Sequence, residues 1–236
     1  MTQNYSRDAV ILAASKSGTD GYYAINKLPT STYTCEAIEF ILSRVRRTSP
    51  GIDNIPFWVY RDCASELERV VTKLVNVSVG SGAVPSAWRT AIITPVPKCM
   101  PVTELGDLRP ISVTLILSRI VERLIVKDNI FPVIPVEQLH DQFGFKPTGS
   151  TTAALIDLTN AVSIMLEDNK YVRCLLIDFS KAFDSVNHVV LIKKLKLLNI
   201  LDNILQWVVA FLTDRDKYTK LGDKRFSTRF ITRSIV

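Results

Sequence analysis

The strongest constraint on this chain is an apolar run that drives straight into a carboxylate. Residues 174–186 read CLLIDFSKAFDSV: Cys174, Leu175, Leu176 and Ile177 lead into Asp178, and a second acid, Asp184, follows six residues on. Such a run reads as a buried strand over residues 172–178. A buried carboxylate is costly unless it is paired, hydrogen-bonded or ligating a metal. Asp178 therefore has three readings. It is a polar residue at a strand end, a phospho-acceptor in a receiver-like α/β fold, or a ligand for Mg²⁺. That ion takes hard oxygen donors, usually one or two carboxylates with substrate phosphates. The receiver reading needs strands and helices alternating from the N-terminus, a pattern this chain lacks. Asp184 precedes an apolar-periodic stretch and reads first as an N-cap (Ser185 being the alternative cap), with metal ligation as its other reading. His188 has no partner ligand nearby in sequence and reads as a surface or cap residue.

Around this run the chain is mainly helical. Residues 34–47 place Ala37, Ile38, Ile41, Leu42 and Val45 at helical spacing, before the Pro- and Gly-rich loop SPGIDNIP. Residues 64–77 form a second helix, stopped by Gly80 and Gly82. The run Ala91-Ile92-Ile93-Thr94 reads as a strand that Pro95 and Pro97 end or place at a sheet edge. A loop leads to LRPIS, and residues 114–126 are again helical. DQFGFKPTGS is a loop, after which Ser150 or Thr151 caps a helix to about Glu167 with Leu155, Leu158, Val162 and Met165 on its buried face. Helices with Val190, Leu191, Leu195 and Leu198, and then over residues 203–212, precede a hairpin that turns at Gly222-Asp223. The pattern is α+β.

Composition sets bounds. Apolar residues make up 47% of the 236, enough for a core. The net charge of +6 and pI of about 9.2 permit a polyanionic partner without requiring one. Cys35, Cys63, Cys99 and Cys174 form no C-x-x-C pair, and His140 and His188 are far apart, which argues against a Cys/His zinc site. Scattered cysteines suit a reducing, intracellular compartment. The apolar stretch from Ala9 to Ala14 is too short for a signal-peptide core, and no stretch is long enough to span a membrane.

Five elements in order resemble the reverse transcriptases of non-LTR (LINE-type) retrotransposons. LLIDFSKAFDSVNHVVLIKKL resembles their first palm motif. RTSPGIDNIP resembles the upstream Gly/Pro/Asp segment. WRTAIITPVPK with LRPISVTLILSRIVERLI resembles the two finger motifs. DQFGFKPTGSTTAAL resembles the Q-F-G-F element, and AFLTDRDKYTKLGDKRFSTRFITRSIV the segment leading to the next palm motif. The resemblance covers about residues 34–236. It implies a right-hand polymerase fold: a poorly specified lead-in over 1–33, fingers with the start of the palm over 34–170, and a partial palm over 171–236. It implies RNA-directed DNA synthesis on an RNA template and DNA primer from deoxynucleoside triphosphates, with two divalent ions, Mg²⁺ or alternatively Mn²⁺. By position, Asp178 is the first catalytic aspartate and a metal ligand, and the carbonyl of Phe179 is a second ligand. Phe183 lies under the incoming sugar, where a bulky ring excludes a 2′-hydroxyl. Lys98 and Arg109 hold the triphosphate. Those residue types suit phosphoryl transfer, which depends on positioning and charge neutralisation.

The sequence departs from the family after RSIV. The Q-G segment and the Y-x-D-D hairpin, with its two further aspartates, do not occur. One aspartate cannot hold two ions in reactive geometry, so the expectation is a polymerase fragment, inactive alone and truncated before the second and third palm motifs. The other reading is a non-catalytic nucleic-acid-binding or interaction module. There Arg44, Arg46, Arg47 and Arg89, with Lys98 and Arg109, contact phosphates, unless Arg44, Arg46 and Arg47 are simply a solvated helix face.

Overall fold

The computed structural model describes residues 32–146, 149–179, 182–221, 224–226 and 229–231. The lead-in therefore lies largely outside the described residues. Helix α1 (Cys35–Leu42) begins where Thr34 Oγ1 accepts the Ala37 amide and turns Ile38 and Leu42 inward. It ends short of the expected residue 47, because only half-buried Val45 among the next residues has a core to join. A short helix not foreseen, α2 (Phe57–Asp62), starts after Pro56 and buries Tyr60. Helix α3 (Ala64–Ser81) buries Val71, Val75 and Val79; it runs through Gly80 and stops at Gly82, whose φ is 64°. A side chain at Gly82 would bring its Cβ to 2.8 Å from Gln206 Cβ, so glycine is required both for the left-handed cap and for the close approach.

Helix α4 (Ile116–Ile125) buries Ile120, Val121, Leu124 and Ile125. Later in the chain, α7 (Asp202–Leu212) buries Ile204, Trp207 and Phe211 against the same core. The end of α3 is sealed by α7. Trp207 Nε1 donates to Ser78 Oγ (2.9 Å), Ser78 Oγ donates to the Ala83 carbonyl (2.6 Å), and Asn203 Nδ2 donates to the Val79 carbonyl (3.1 Å). These bonds tie the C-terminal end of α3 to α7, beside the Gly82 amide that also donates to the Val79 carbonyl.

The sheet runs β2–β1–β3–β4, with β5 also on β3. Strand β1 (Thr90–Pro97) continues through both prolines instead of ending at Thr94. The edge alternative explains why. Only Thr90 to Ile93 pair with β3 (Arg215–Leu221), in parallel, so Pro95 and Pro97 lie where β1 has β2 alone as neighbour. Strand β2 (Leu108–Val113) forms from LRPIS, read above as following a loop, and pairs antiparallel with β1 so that Pro110 faces Pro95. Strands β4 (Lys224–Arg225) and β5 (Arg229–Ile231) return antiparallel along β3, as the hairpin expectation required; its turn residues lie outside the described residues.

Two expectations fail at the centre of the chain. The strand over residues 172–178 does not form: 171–179 is unpaired, with Leu175, Leu176 and Ile177 exposed. A strand needs a neighbour for its N–H and C=O groups, and no described strand lies beside it. Helix α5 (Thr151–Asp168) forms, with Ser150 Oγ capping the Ala153 amide, but buries none of its residues; Leu155, Leu158 and Met165 are exposed. Helix α6 (His188–Lys196) is capped by Asn187 Oδ1, which accepts from Val189 and Val190, and not by Asp184 or Ser185, which lie in a preceding 3₁₀ turn. His188 is buried, contrary to the surface or cap expectation.

Helices and sheet meet at Arg215, 1% exposed. Its Nη1 donates to the Phe211 carbonyl (2.9 Å) and its guanidinium lies 4.5 Å from the Phe211 ring, which stacks on Trp207. Burial pulls the Arg215 pKa down to about 10, opposed by the Glu122 carboxylate. Burial likewise raises the Glu122 carboxyl, with Arg215 opposing.

Two predictions follow from this packing. Gly82→Ala forces a side chain into a left-handed conformation and onto Gln206; it should cost about 1–2 kcal/mol in urea denaturation, with an unchanged m-value. The raised Glu122 carboxyl means that the folded state holds that proton more tightly than the unfolded chain. The associated stability is present below pH 4.5 and lost as pH rises through the raised value. Glu122→Gln should therefore gain stability relative to the wild type between pH 4 and 7; a constant difference across that range would contradict the assignment.

Candidate functional site

The β1–β2 hairpin positions two of the expected cations. Val96 and Arg109 are opposite one another in the register. Lys98 lies two residues beyond Val96 and continues the ladder, its amide donating to the Asp107 carbonyl at 2.7 Å. The two-residue pleat therefore sets Lys98 and Arg109 on one face of the hairpin. Both side chains are exposed. Lys98 Nζ donates to the Gly106 carbonyl at 2.7 Å. The connecting loop is tied by Asp107, whose Oδ2 accepts from the Thr103 amide (2.9 Å), the Thr103 hydroxyl (3.0 Å) and the Glu104 amide (3.1 Å). Those bonds, the Thr103 amide foremost, hold the Asp107 carboxyl below its usual range.

Asp178 sits on the unpaired segment. Its Oδ1 accepts the amide of Phe179 at 2.9 Å, and both residues are exposed. A carboxylate in water needs no compensating partner, so the burial cost inferred from the apolar run does not arise here. Five residues on, Phe183 lies in the 3₁₀ turn Phe183–Ser185 and meets Phe145 edge to face, with ring centroids 5.7 Å apart at 84°. Phe145 belongs to the Q-F-G-F element, but no role was foreseen for it. Its signal was present as an aromatic in a Gly-rich loop; its partner could not be read from sequence.

The remaining expected contacts divide. Arg44 lies 3.8 Å over the Phe40 ring and, like Arg46 and Arg47, is exposed. Arg89 is only 21% exposed and pairs with Asp214 at 3.6 Å, where β1 and β3 begin, so it is engaged in the fold. Among the described residues no group of three His, Cys, Asp or Glu side chains converges. Asp178 with the Phe179 carbonyl provides hard oxygen donors suited to part of one Mg²⁺ shell, but not the carboxylate set of a two-ion centre. Among the same residues no helix is long and apolar enough to cross a membrane.

Comparison with known proteins adds the following. The family model described as reverse transcriptase (RNA-dependent DNA polymerase) matches residues 96–234. A probable RNA-directed DNA polymerase from transposon BS of Drosophila melanogaster is 31% identical over 166 residues, 69% of this chain and 18% of that protein. The RNA-directed DNA polymerase from mobile element jockey of Drosophila melanogaster is 25% identical over 215 residues, 88% of this chain and 23% of that protein. A retrovirus-related Pol polyprotein from type-1 retrotransposable element R2 of Popillia japonica is 24% identical, over 79% of this chain and 25% of that protein. The chain thus spans about a fifth to a quarter of the length of these relatives.

The exposure of the Asp178 segment is directly testable. Trypsin should cut after Lys170 or Arg173, which border or lie in it, before it cuts at Arg119 or Arg123 of α4, as read by mass spectrometry of early fragments. Cleavage in α4 first would show that residues 171–179 are covered.

Proposed function

The chain belongs to the reverse transcriptase family of RNA-dependent DNA polymerases, and from that membership we propose that it supplies fingers with the start of the palm (residues 34–170) and a further part of the palm (171–236) of a retrotransposon polymerase with a right-hand fold. Its partners are an RNA template, a DNA primer and deoxynucleoside triphosphates, inside the cell in cytoplasm or nucleus. The observation that carries this reading is the family match over residues 96–234, together with the placement of Lys98 and Arg109 on one face of the β1–β2 hairpin.

Each residue then has a task. Arg109 offers a planar, bidentate donor to phosphate oxygens, and Lys98 a point charge beside it. Asp178 and the Phe179 carbonyl hold a divalent ion, Mg²⁺ or Mn²⁺. When bound, that ion neutralises charge on the transferring phosphoryl group. The Phe183 ring lies under the sugar and leaves no room for a 2′-hydroxyl. Among the described residues no group of three His, Cys, Asp or Glu side chains converges, and on this reading the chain by itself binds nucleotide and nucleic acid without turnover.

A second reading, a nucleic-acid-binding module without nucleotide chemistry, is favoured by the +6 charge and by exposed Arg44, Arg46 and Arg47. One titration separates the two. With Mg²⁺ present, deoxynucleoside triphosphate binding should weaken about tenfold or more in Arg109→Ala, the loss expected for a charge-assisted bond of ~1.5–3 kcal/mol. Affinity for an RNA–DNA hybrid should fall log-linearly with salt. Salt-dependent hybrid binding with no triphosphate binding would favour the second reading, and absence of both would overturn both.

A further inference from the structure

We infer that Phe145 is a positioning residue whose ring sets the plane of Phe183, and through it the discrimination between deoxyribose and ribose at the nucleotide site. The inference rests on the proposed placement of Phe183 under the incoming sugar.

Phe145 has φ 57°, in the left-handed region. A bulky side chain rarely adopts it, and it persists only where surroundings over-determine it. The surroundings here are local and specific. Gln142 Nε2 donates to the Gly144 carbonyl at 2.7 Å, and Lys146 Nζ donates to the Leu139 carbonyl at 3.0 Å. The Gly149 amide donates to the Lys146 carbonyl at 3.0 Å, and a Cβ on Gly149 would sit 2.0 Å from the Phe143 carbonyl oxygen. The loop is therefore bonded to itself on both sides of Phe145, and closes only with glycine at 149.

What this arrangement achieves is not burial. Phe145 is 86% exposed and Phe183 55% exposed. Both rings stand largely in solvent and meet edge to face, across 38 residues of sequence. A strained backbone that presents an aromatic outward gains little for the core. It does fix the orientation of a second aromatic five residues after Asp178. Edge-to-face contact is directional, because the positive ring edge meets the negative ring face. Rotation of Phe183 away from this geometry breaks the contact, so the loop restrains its plane. A steric filter depends on that restraint: a ring free to tilt would admit a 2′-hydroxyl that a fixed ring excludes.

The test uses the full chain with Mg²⁺ and competitive binding of dGTP against GTP, alongside assigned ring-proton shifts of Phe183. Phe145→Gly relieves the backbone and deletes the ring. It should reduce the dGTP/GTP preference about two- to tenfold, the range of an aromatic pair, mainly through tighter GTP binding. It should also shift the Phe183 ring resonances even without nucleotide. Phe145→Tyr, which keeps the ring, should restore both. The double variant Phe145→Gly/Phe183→Ala should discriminate no worse than Phe183→Ala alone. If Phe183→Ala lowers the preference and Phe145→Gly does not, the inference fails and the proposed function stands. If Phe183→Ala leaves the preference unchanged, or no nucleotide binds, the placement of Phe183 fails and the inference with it. Unchanged Phe183 resonances in Phe145→Gly would overturn the inference without reference to nucleotide.

Discussion

The Arg215 guanidinium is the joint between helices and sheet. It sits at the first residue of β3, immediately after α7 and after Asp214 in a left-handed turn (φ 50°). From there it bonds back to the Phe211 carbonyl and covers the Phe211 ring, which stacks on Trp207 and so reaches Ser78 on α3. Glu122 brings α4 to the same cluster electrostatically. Arg89, paired with Asp214, ties in the start of β1. Glu122 offsets part of the cost of burying the Arg215 charge, while burial remains the larger effect on both groups. The parallel β1–β3 pairing, from which the β2 hairpin and its two cations extend, begins at this cluster.

The molecule divides into a packed part and an open part. Helices α1, α3, α4 and α7 share one core. In contrast, α5 and residues 171–179 hold Leu155, Ile156, Ile164, Leu175, Leu176 and Ile177 largely in water. Each such side chain would contribute about 1.5–3 kcal/mol if buried. The open part therefore retains unspent driving force for association, and an apolar surface of this kind marks a place where other surfaces pack. Asp178 lies within it.

Sequence periodicity revealed the helices well, because 3.6-residue spacing reports an apolar face directly. Ser150 was legible as a cap, and the antiparallel return after β3 as a hairpin. Other features were hidden for identifiable reasons. Strand β2 was obscured by Pro110 and by its polar exposed face, and the length of β1 by prolines whose cost depends on which edge they face. The CLLID run correctly signalled apolar chain, but hydrophobicity states a preference for burial and does not supply a pairing strand. The same gap separates the amphipathic pattern of α5 from its exposed state. Asn187 outcompeted Asp184 as the α6 cap because the intervening 3₁₀ turn moved the helix start. Arg215 reads as surface charge in the stretch TDRDKY; only the fold buries it. At the candidate site, the roles of Lys98, Arg109 and Asp178 rest on the motifs, whereas the Phe145–Phe183 contact was not legible in sequence.

This division bears on how the site is held. Phosphoryl transfer demands that the groups on the triphosphate and the carboxylate near the reacting phosphorus stay in fixed relation, and small misplacements are expensive. In the proposed reading Lys98 and Arg109 would meet that demand through a two-stranded ladder rooted at the Arg215 cluster. Asp178 has no ladder; its Oδ1 accepts from the amide of its own neighbour, Phe179. The order given to the segment after Asp178 comes from the Phe183 turn, its contact with Phe145, and the Asn187 cap that begins α6. Helix α6 in turn packs Ile192 against Val209 of α7, four residues before Thr213 closes on Val209 and the chain enters the Arg215 cluster. The two halves of the site are thus referenced to the same buried guanidinium by different routes. One is a rigid ladder. The other is a chain of single contacts, and the precision of the carboxylate side depends on the weakest of them.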